Sequence, residues 1–247
     1  MPPIDLAPIK IILLDVEGTT TSVEFVYQTL FPYARTNLKE FLLENSSDPE
    51  VRDAVAALKS NRDAEIRAGK LPPPWILGMD QSEIVSAAEY GLWLMDRDSK
   101  IGPLKVLQGL IWQRGYEVGQ LKGQVYADVP AAFDRWSWQG KKIAIYSSGS
   151  ELAQKLLFGA TEYGDLTRHI AAFFDTRVGT KSEAGSYRRI AEIESVPESR
   201  FLFLSDAVTE LNAARSAGMS TALVVRAGTG RNSSGGHPVI HSFDSLG

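Results

Sequence analysis

The sequence predicts an α/β protein, a doubly wound parallel sheet with a helical insert close to its start. Three observations carry that expectation. Ile11-Ile12-Leu13-Leu14 is an unbroken aliphatic run, the pattern of a strand covered on both faces. From Val129 onward helical and strand-like stretches alternate, as they do in parallel sheets built with right-handed crossovers. Between the two, Ser22 to Tyr126 spaces its apolar residues at helical intervals without strand-like alternation. The opening strand is expected to join the later ones, so that residues 1–21 and 127–247 form the α/β core and residues 22–126 a lid-like insert.

Each element has its own signal. Within the insert, Asp53 to Leu58 and Gln81 to Ala88 are rich in helix formers, and Leu71-Pro72-Pro73-Pro74-Trp75 is a stiff break between helices. A further helix runs through Lys105 to Trp112 and ends near Gly115 or Gly119. In the core, Pro130 to Trp136 reads as a helix, Lys142 to Tyr146 as a strand, and Ser150 to Phe158 as a helix opened by small polar residues. Ala171 to Phe174 is then a strand, Ala184 to Glu194 a helix and Arg200 to Leu204 a strand. Val208 to Ala217 is a helix stopped by Gly218, Thr221 to Val225 a strong strand, and Pro238 to Phe243 a last short edge strand.

Composition bounds the function. An apolar fraction of 44% allows a sizeable core, and a net charge of -4 offers no basic field for nucleic acid or anionic lipid. The absence of cysteine removes disulfides, thiolate metal sites and a cysteine nucleophile together. Met1 to Pro8 lacks the basic and apolar regions of a signal peptide, and no run is long enough to span a bilayer. The expected location is the cytoplasm, with the nucleus also open in a eukaryotic source.

The chemistry gathers at strand ends. Asp15-Val16-Glu17-Gly18 follows the first strand, Ser147-Ser148-Gly149-Ser150 the second, and Ser205-Asp206 the strand through Leu204, while Lys181 sits just before a helix. Open α/β sheets bind ligands at this edge. Two carboxylates about 4 Å apart repel by about 4 kcal/mol at an effective dielectric near 20, so Asp15, Glu17 and Asp206 need more counter-charge than one lysine supplies. A hard, oxygen-liganded cation such as Mg²⁺ answers that need, and the set as a whole suits phosphate chemistry.

These residues resemble the four ordered motifs of the haloacid dehalogenase-like hydrolases. More narrowly, Glu17 in place of the usual second aspartate, with Thr19-Thr20-Thr21-Ser22-Val23-Glu24-Phe25-Val26 after it, is similar to the enolase-phosphatase family of methionine salvage. Tyr146 to Ser150, Phe174-Asp175-Thr176 and Phe203 to Asp206 with Glu210 are similar to that family too, and the likeness covers nearly the whole chain. It implies a helical cap inserted in a Rossmann-type core, and an aspartyl-phosphate formed on Asp15 and hydrolysed by water. It further implies one Mg²⁺ per chain, held by Asp15, the main-chain carbonyl of Glu17 and Asp206. Glu17 would be the acid and base, Ser147 and Ser148 phosphate binders, and Lys181 both a stabiliser of phosphoryl charge and a restraint on Asp15.

The implied reaction converts 2,3-diketo-5-methylthiopentyl-1-phosphate, through an enol, to the acireductone 1,2-dihydroxy-3-keto-5-methylthiopentene and phosphate. Glu17, Glu24 or a base from the insert would take the enolisation proton. The family likeness implies a monomer. Competing readings are a Mg²⁺-dependent phosphatase of the same superfamily acting on another small metabolite, a metal-independent dehalogenase, and a catalytically silent ligand-binding module.

Taken singly, each motif has a plain structural alternative. Ser147, Ser148 and Asp206 could cap helices, and Lys181 and Glu210 could be solvated charges. Their coincidence at one sheet edge argues against that. Trp75, Trp93, Trp112 and Tyr116 suit core packing better than a pocket for the methylthio end. Gly179-Thr180-Lys181-Ser182 lacks the spacing of a nucleotide-binding loop, Gly228 to Gly236 reads as a surface loop, and His169, His237 and His241 lack zinc-ligand spacing.

Overall fold

The computed structural model describes residues 4–77, 81–228 and 233–247. In chain order its elements begin with β1 (Ile11–Leu14), α1 (Val23–Phe25), α2 (Phe31–Glu44), α3 (Pro49–Arg67), α4 (Ser82–Met95) and α5 (Gly102–Glu117). There follow α6 (Asp128–Trp138), β2 (Lys142–Tyr146), α7 (Glu151–Gly159), β3 (Ile170–Phe174), α8 (Ala184–Glu194), β4 (Phe201–Ser205), α9 (Val208–Ala217), β5 (Ser220–Val224) and β6 (Val239–Ile240). They divide into two compact units, one of Met1–Val26 with Lys122–Gly247 and the other of Tyr27–Leu121.

In the first unit the strands form a sheet in the order β3-β2-β1-β4-β5-β6. Every pairing is parallel. All four residues of β1 are fully buried, as the aliphatic run required. Alternate strand residues, Ile11, Leu13, Tyr146, Phe201 and Phe203, pack with Tyr187 and Ile190 of α8 and Leu211 and Ala214 of α9. Helices α6 and α7 contact β2 and β3. Ser150 opens α7 by accepting a hydrogen bond from the Ala153 amide at 3.3 Å, and Gly218, at φ +106°, ends α9.

Among the described residues, the regular elements of the second unit are all helices. Asp48 caps α3 by accepting the Glu50 and Val51 amides at 2.8 and 3.3 Å, with Pro49 preset at the first helical position. Tyr90 stacks on Trp93 at 5.6 Å between ring centroids and meets Trp75 edge-on at 6.4 Å. The Trp112 indole donates to the Leu30 carbonyl at 2.8 Å. The tryptophans therefore hold helices together. Tyr116 carries a buried hydroxyl without a partner among the described residues.

The structure amends two expectations. The first unit keeps residues 22–26 and 122–126; the second of these segments is tied to the opening turn, the Tyr126 amide donating to the Thr20 carbonyl at 2.9 Å and the Thr21 hydroxyl to the Gln124 carbonyl at 2.8 Å. The edge strand expected over 238–243 shrinks to β6, since the Ser242 hydroxyl turns back to accept the Asp244 amide at 3.1 Å. His237 is fully buried between Thr221 at 2.8 Å and Asn212 at 3.1 Å, a structural role. The glycine-rich stretch from Gly228 to Gly236 lies in part, at 229–232, outside the described residues.

Candidate active site

The sheet itself brings the sequence motifs together. β1 lies between β2 and β4, with Leu14 in register with Ile145 on one side and Leu204 on the other. Asp15, Tyr146 and Ser205 therefore leave the sheet at one level. The Asp15 amide continues the ladder by donating to the Leu204 carbonyl at 3.0 Å. The strand order runs outward to β3 on one side of β1 and to β6 on the other, which marks the β1/β4 boundary as the ligand crevice of a doubly wound sheet.

The turn after β1 is closed by its own backbone. The Val16 carbonyl accepts the amides of Thr19, Thr20 and Thr21 at 3.2, 3.0 and 2.9 Å, and the Gly18 amide donates to the Thr21 carbonyl at 2.8 Å. Gly18 sits at φ +71°, where only a residue without Cβ is relaxed. A Cβ there would fall 2.5 Å from Asp206 Oδ2 and 2.7 Å from its Cγ. The Asp206 carboxylate is therefore pressed against the turn that carries Asp15 and Glu17.

Asp15 is buried and held at both oxygens. Lys181 Nζ donates to Oδ1, and the Thr19 hydroxyl to Oδ2 at 3.1 Å. The same ammonium pairs with Glu210 Oε2 at 2.7 Å, and that oxygen also accepts the Ser205 hydroxyl at 2.9 Å. Burial disfavours the Lys181 charge most strongly, but the Asp15 and Glu210 carboxylates outweigh it and raise the pKa to about 12. Lys181 is a fixed cation at neutral pH. Burial, reinforced by the Asp15 charge, raises the pKa of Glu210 despite the lysine beside it. Three further bonds fix the lysine's loop: Tyr187 hydroxyl to Lys181 carbonyl at 2.7 Å, Ser186 hydroxyl to Thr180 carbonyl at 2.7 Å, and Tyr146 hydroxyl to Gly179 carbonyl at 2.8 Å.

At the end of β2, Ser147 is buried, and its hydroxyl accepts the Gly149 amide at 3.1 Å. Gln154 clamps this loop from α7, donating to the Gly149 and Phe174 carbonyls at 2.9 Å each. Ser148 is half-buried on the loop, Glu17 is half-buried on the opening turn, and Glu24 is exposed on α1.

The acidic set suits a hard cation. Among the described residues there is no cluster of three or more His, Cys, Asp or Glu side chains fit to cage a metal. Two carboxylates with backbone oxygen and water are nevertheless the way Mg²⁺ is usually bound, and the contact of Asp206 with the Gly18 turn provides such a grouping.

Sequence reasoning passed over Thr19, Gln154 and Tyr187. Thr19 carried a signal, its place beside the acidic turn. The others are ordinary helix or loop residues whose roles arise only from tertiary contact.

Comparison with known proteins bears on this site. The family described as haloacid dehalogenase-like hydrolase matches residues 9–218. The chain is 46% identical over 238 residues to the Enolase-phosphatase E1 of Synechococcus elongatus, covering 96% of this chain and 98% of that one. Among solved structures, the UTR4 protein of Saccharomyces cerevisiae superposes with a TM-score of 0.78 at 32% identity, covering 96% of this chain and 99% of its own. YfnB from Bacillus subtilis, solved bound to magnesium, shares the fold at a TM-score of 0.53 and 15% identity, with 96% of each chain covered.

Proposed function

The chain belongs to the enolase-phosphatase E1 family of the haloacid dehalogenase-like hydrolases, and from that membership we propose a two-stage reaction for it. It enolises 2,3-diketo-5-methylthiopentyl-1-phosphate and then releases phosphate to give the acireductone of methionine salvage. The observation that carries the phosphatase stage is the buried Asp15 carboxylate, held between the Lys181 ammonium and the Thr19 hydroxyl at the sheet's switch point.

Asp15 attacks phosphorus with a carboxylate oxygen, and the bond to the substrate's oxygen breaks as the aspartyl-phosphate forms. Glu17 donates the proton taken up by the leaving oxygen, then accepts one from the water that attacks the aspartyl-phosphate. Phosphate leaves and Asp15 is restored. Lys181 keeps Asp15 in place and offsets charge on the phosphoryl oxygens, which Ser147 and Ser148 also bind. For the enolisation, Glu17 is the better base than Glu24, being half-buried beside Asp15 while Glu24 is exposed.

Asp15, the Glu17 carbonyl and Asp206 would hold Mg²⁺, whose bound charge offsets that of the carboxylates and of the phosphate. That YfnB was solved with magnesium supports this reading. No helix among the described residues is long and apolar enough to cross a membrane.

The test follows absorbance and phosphate together on the diketo substrate with Mg²⁺, with and without EDTA. An enol that precedes phosphate, both lost with EDTA, is the expected result. Phosphate release from simple sugar phosphates without enol formation from the diketone would assign the chain to a different phosphatase activity.

A further inference from the structure

We propose that Arg226 is a positioning residue for phosphoryl transfer, acting on Asp15 through Thr19; the inference rests on the phosphatase reading above. Arg226 follows β5 and is only 4% exposed. Its Nε and Nη2 both donate to the Thr19 carbonyl, at 2.9 and 2.6 Å, and its Nη1 to Asp128 Oδ2 at 2.6 Å. The guanidinium lies against the rings of Tyr126 and Phe243, at 4.2 and 4.6 Å from their centroids. Asp128 in turn accepts the Phe243 amide at 2.6 Å and the Ser242 hydroxyl at 3.0 Å. One buried cation thus joins the opening turn, the start of α6 and the segment after β6.

A buried arginine is costly unless its charge is paired and its donors are used, and here both conditions are met. The arrangement has a particular target. The carbonyl it grips belongs to the residue whose hydroxyl donates to Asp15 Oδ2 at 3.1 Å. Carbonyl and hydroxyl of Thr19 hang from one Cα, so a two-pronged hold on the first restricts where the second can reach. With Lys181 on Oδ1 and Thr19 on Oδ2, the plane of the Asp15 carboxylate is set before substrate arrives. Attack on phosphorus depends on such alignment. A lysine at position 226 would keep the charge but lose the planar fork and the stacking on both rings.

The test is a double-mutant cycle on phosphate release, read as kcat and KM per folded molecule. Arg226→Lys is expected to lower kcat about 10-fold and Thr19→Val by a similar factor, each with KM within about twofold. The double variant should be no worse than about twofold below the poorer single one, because both changes break one chain of contacts. A merely structural role lowers the thermal midpoint and leaves kcat per folded molecule unchanged. That result, or losses that multiply to about 100-fold in the double variant, overturns the proposal. If R226K does not fold, Phe243→Leu removes one stacking face while keeping every donor on the guanidinium. It should lower kcat about threefold with KM unchanged, and an unaltered kcat again overturns the idea. A wild-type enzyme that releases no phosphate from any ester would sink the phosphatase reading itself, an outcome visible before any variant is made.

Discussion

Replacing Gly18 by alanine separates two physical effects that meet at the turn after β1. The first is backbone strain: at φ +71° an L-residue costs about 1–2 kcal/mol relative to glycine. For a chain of this size that lowers the thermal midpoint by roughly 2–8 °C. The second is a collision. The new Cβ would sit 2.5 Å from Asp206 Oδ2, and ordinary contact begins at 3.4 Å, so the carboxylate must retreat by 3.4 − 2.5 = 0.9 Å. A displacement near 1 Å in a catalytic group costs about 100-fold in rate.

Gly140 supplies the control, because its φ is also +71° and a Cβ there meets nothing within 4 Å. Gly140→Ala is therefore expected to share the loss in thermal midpoint and keep full activity. Gly18→Ala should lose about 100-fold in phosphate release and need more Mg²⁺ for half-maximal rate. The assay is a Mg²⁺ titration of phosphate release on both variants, with melting curves alongside. If G18A kept its rate and its Mg²⁺ requirement within about threefold of wild type, Asp206 would not be needed where the structure puts it, and the reasoning fails.

Removing the shared cation by Lys181→Met leaves Asp15 and Glu210 buried without it, at a cost of about 3–5 kcal/mol by denaturant unfolding and at least 100-fold or so in kcat. Lys181→Arg should recover much of the stability and little of the rate, since a planar guanidinium cannot replace a point ammonium between two carboxylates. Acid stability has a separate origin in Asp128. Burial alone would raise its pKa, but Arg226, the Phe243 amide and the Ser242 hydroxyl together lower it below 3.8. A carboxyl depressed on folding contributes stability that is complete above its unfolded pKa and is lost as pH falls through the folded one. The gap in thermal midpoint between wild type and Asp128→Asn should thus be constant from pH 7 to about 5 and narrow below about pH 4; a gap independent of pH would refute the assignment.

How much of this was legible in the sequence depended on whether the signal was local. β1 was plain because four aliphatic residues in a row leave few alternatives, and Asp15, Ser147 and Asp206 were found because each directly follows a strand. Lys181 had a weaker marker, its place on a loop just before a helix, and three side-chain bonds to that loop explain its placement. The limits of the insert were less readable. Residues 22–26 and 122–126 have the texture of the helical region, yet they belong to the sheet unit, where Gln124 and Tyr126 bond back to Thr21 and Thr20 of the opening turn. Arg226 was invisible for the same reason, since nothing near it in sequence indicates that Thr19, 207 positions earlier, takes two of its donors.

The charges in the site also narrow the assignment of proton transfers. Burial disfavours the Lys181 charge, but the Asp15 and Glu210 carboxylates outweigh it and raise the pKa, and giving up the proton would break the pairing that holds Asp15. Glu210 has a raised pKa, but its Oε2 already accepts from both Lys181 and Ser205. Those two donors tie Glu210 to the lysine and to the end of β4. Asp206 is pressed on the Gly18 turn, and Asp15 is the proposed nucleophile. These contacts agree with the proposal that Glu17, where the superfamily usually has aspartate, carries the proton of the phosphatase stage.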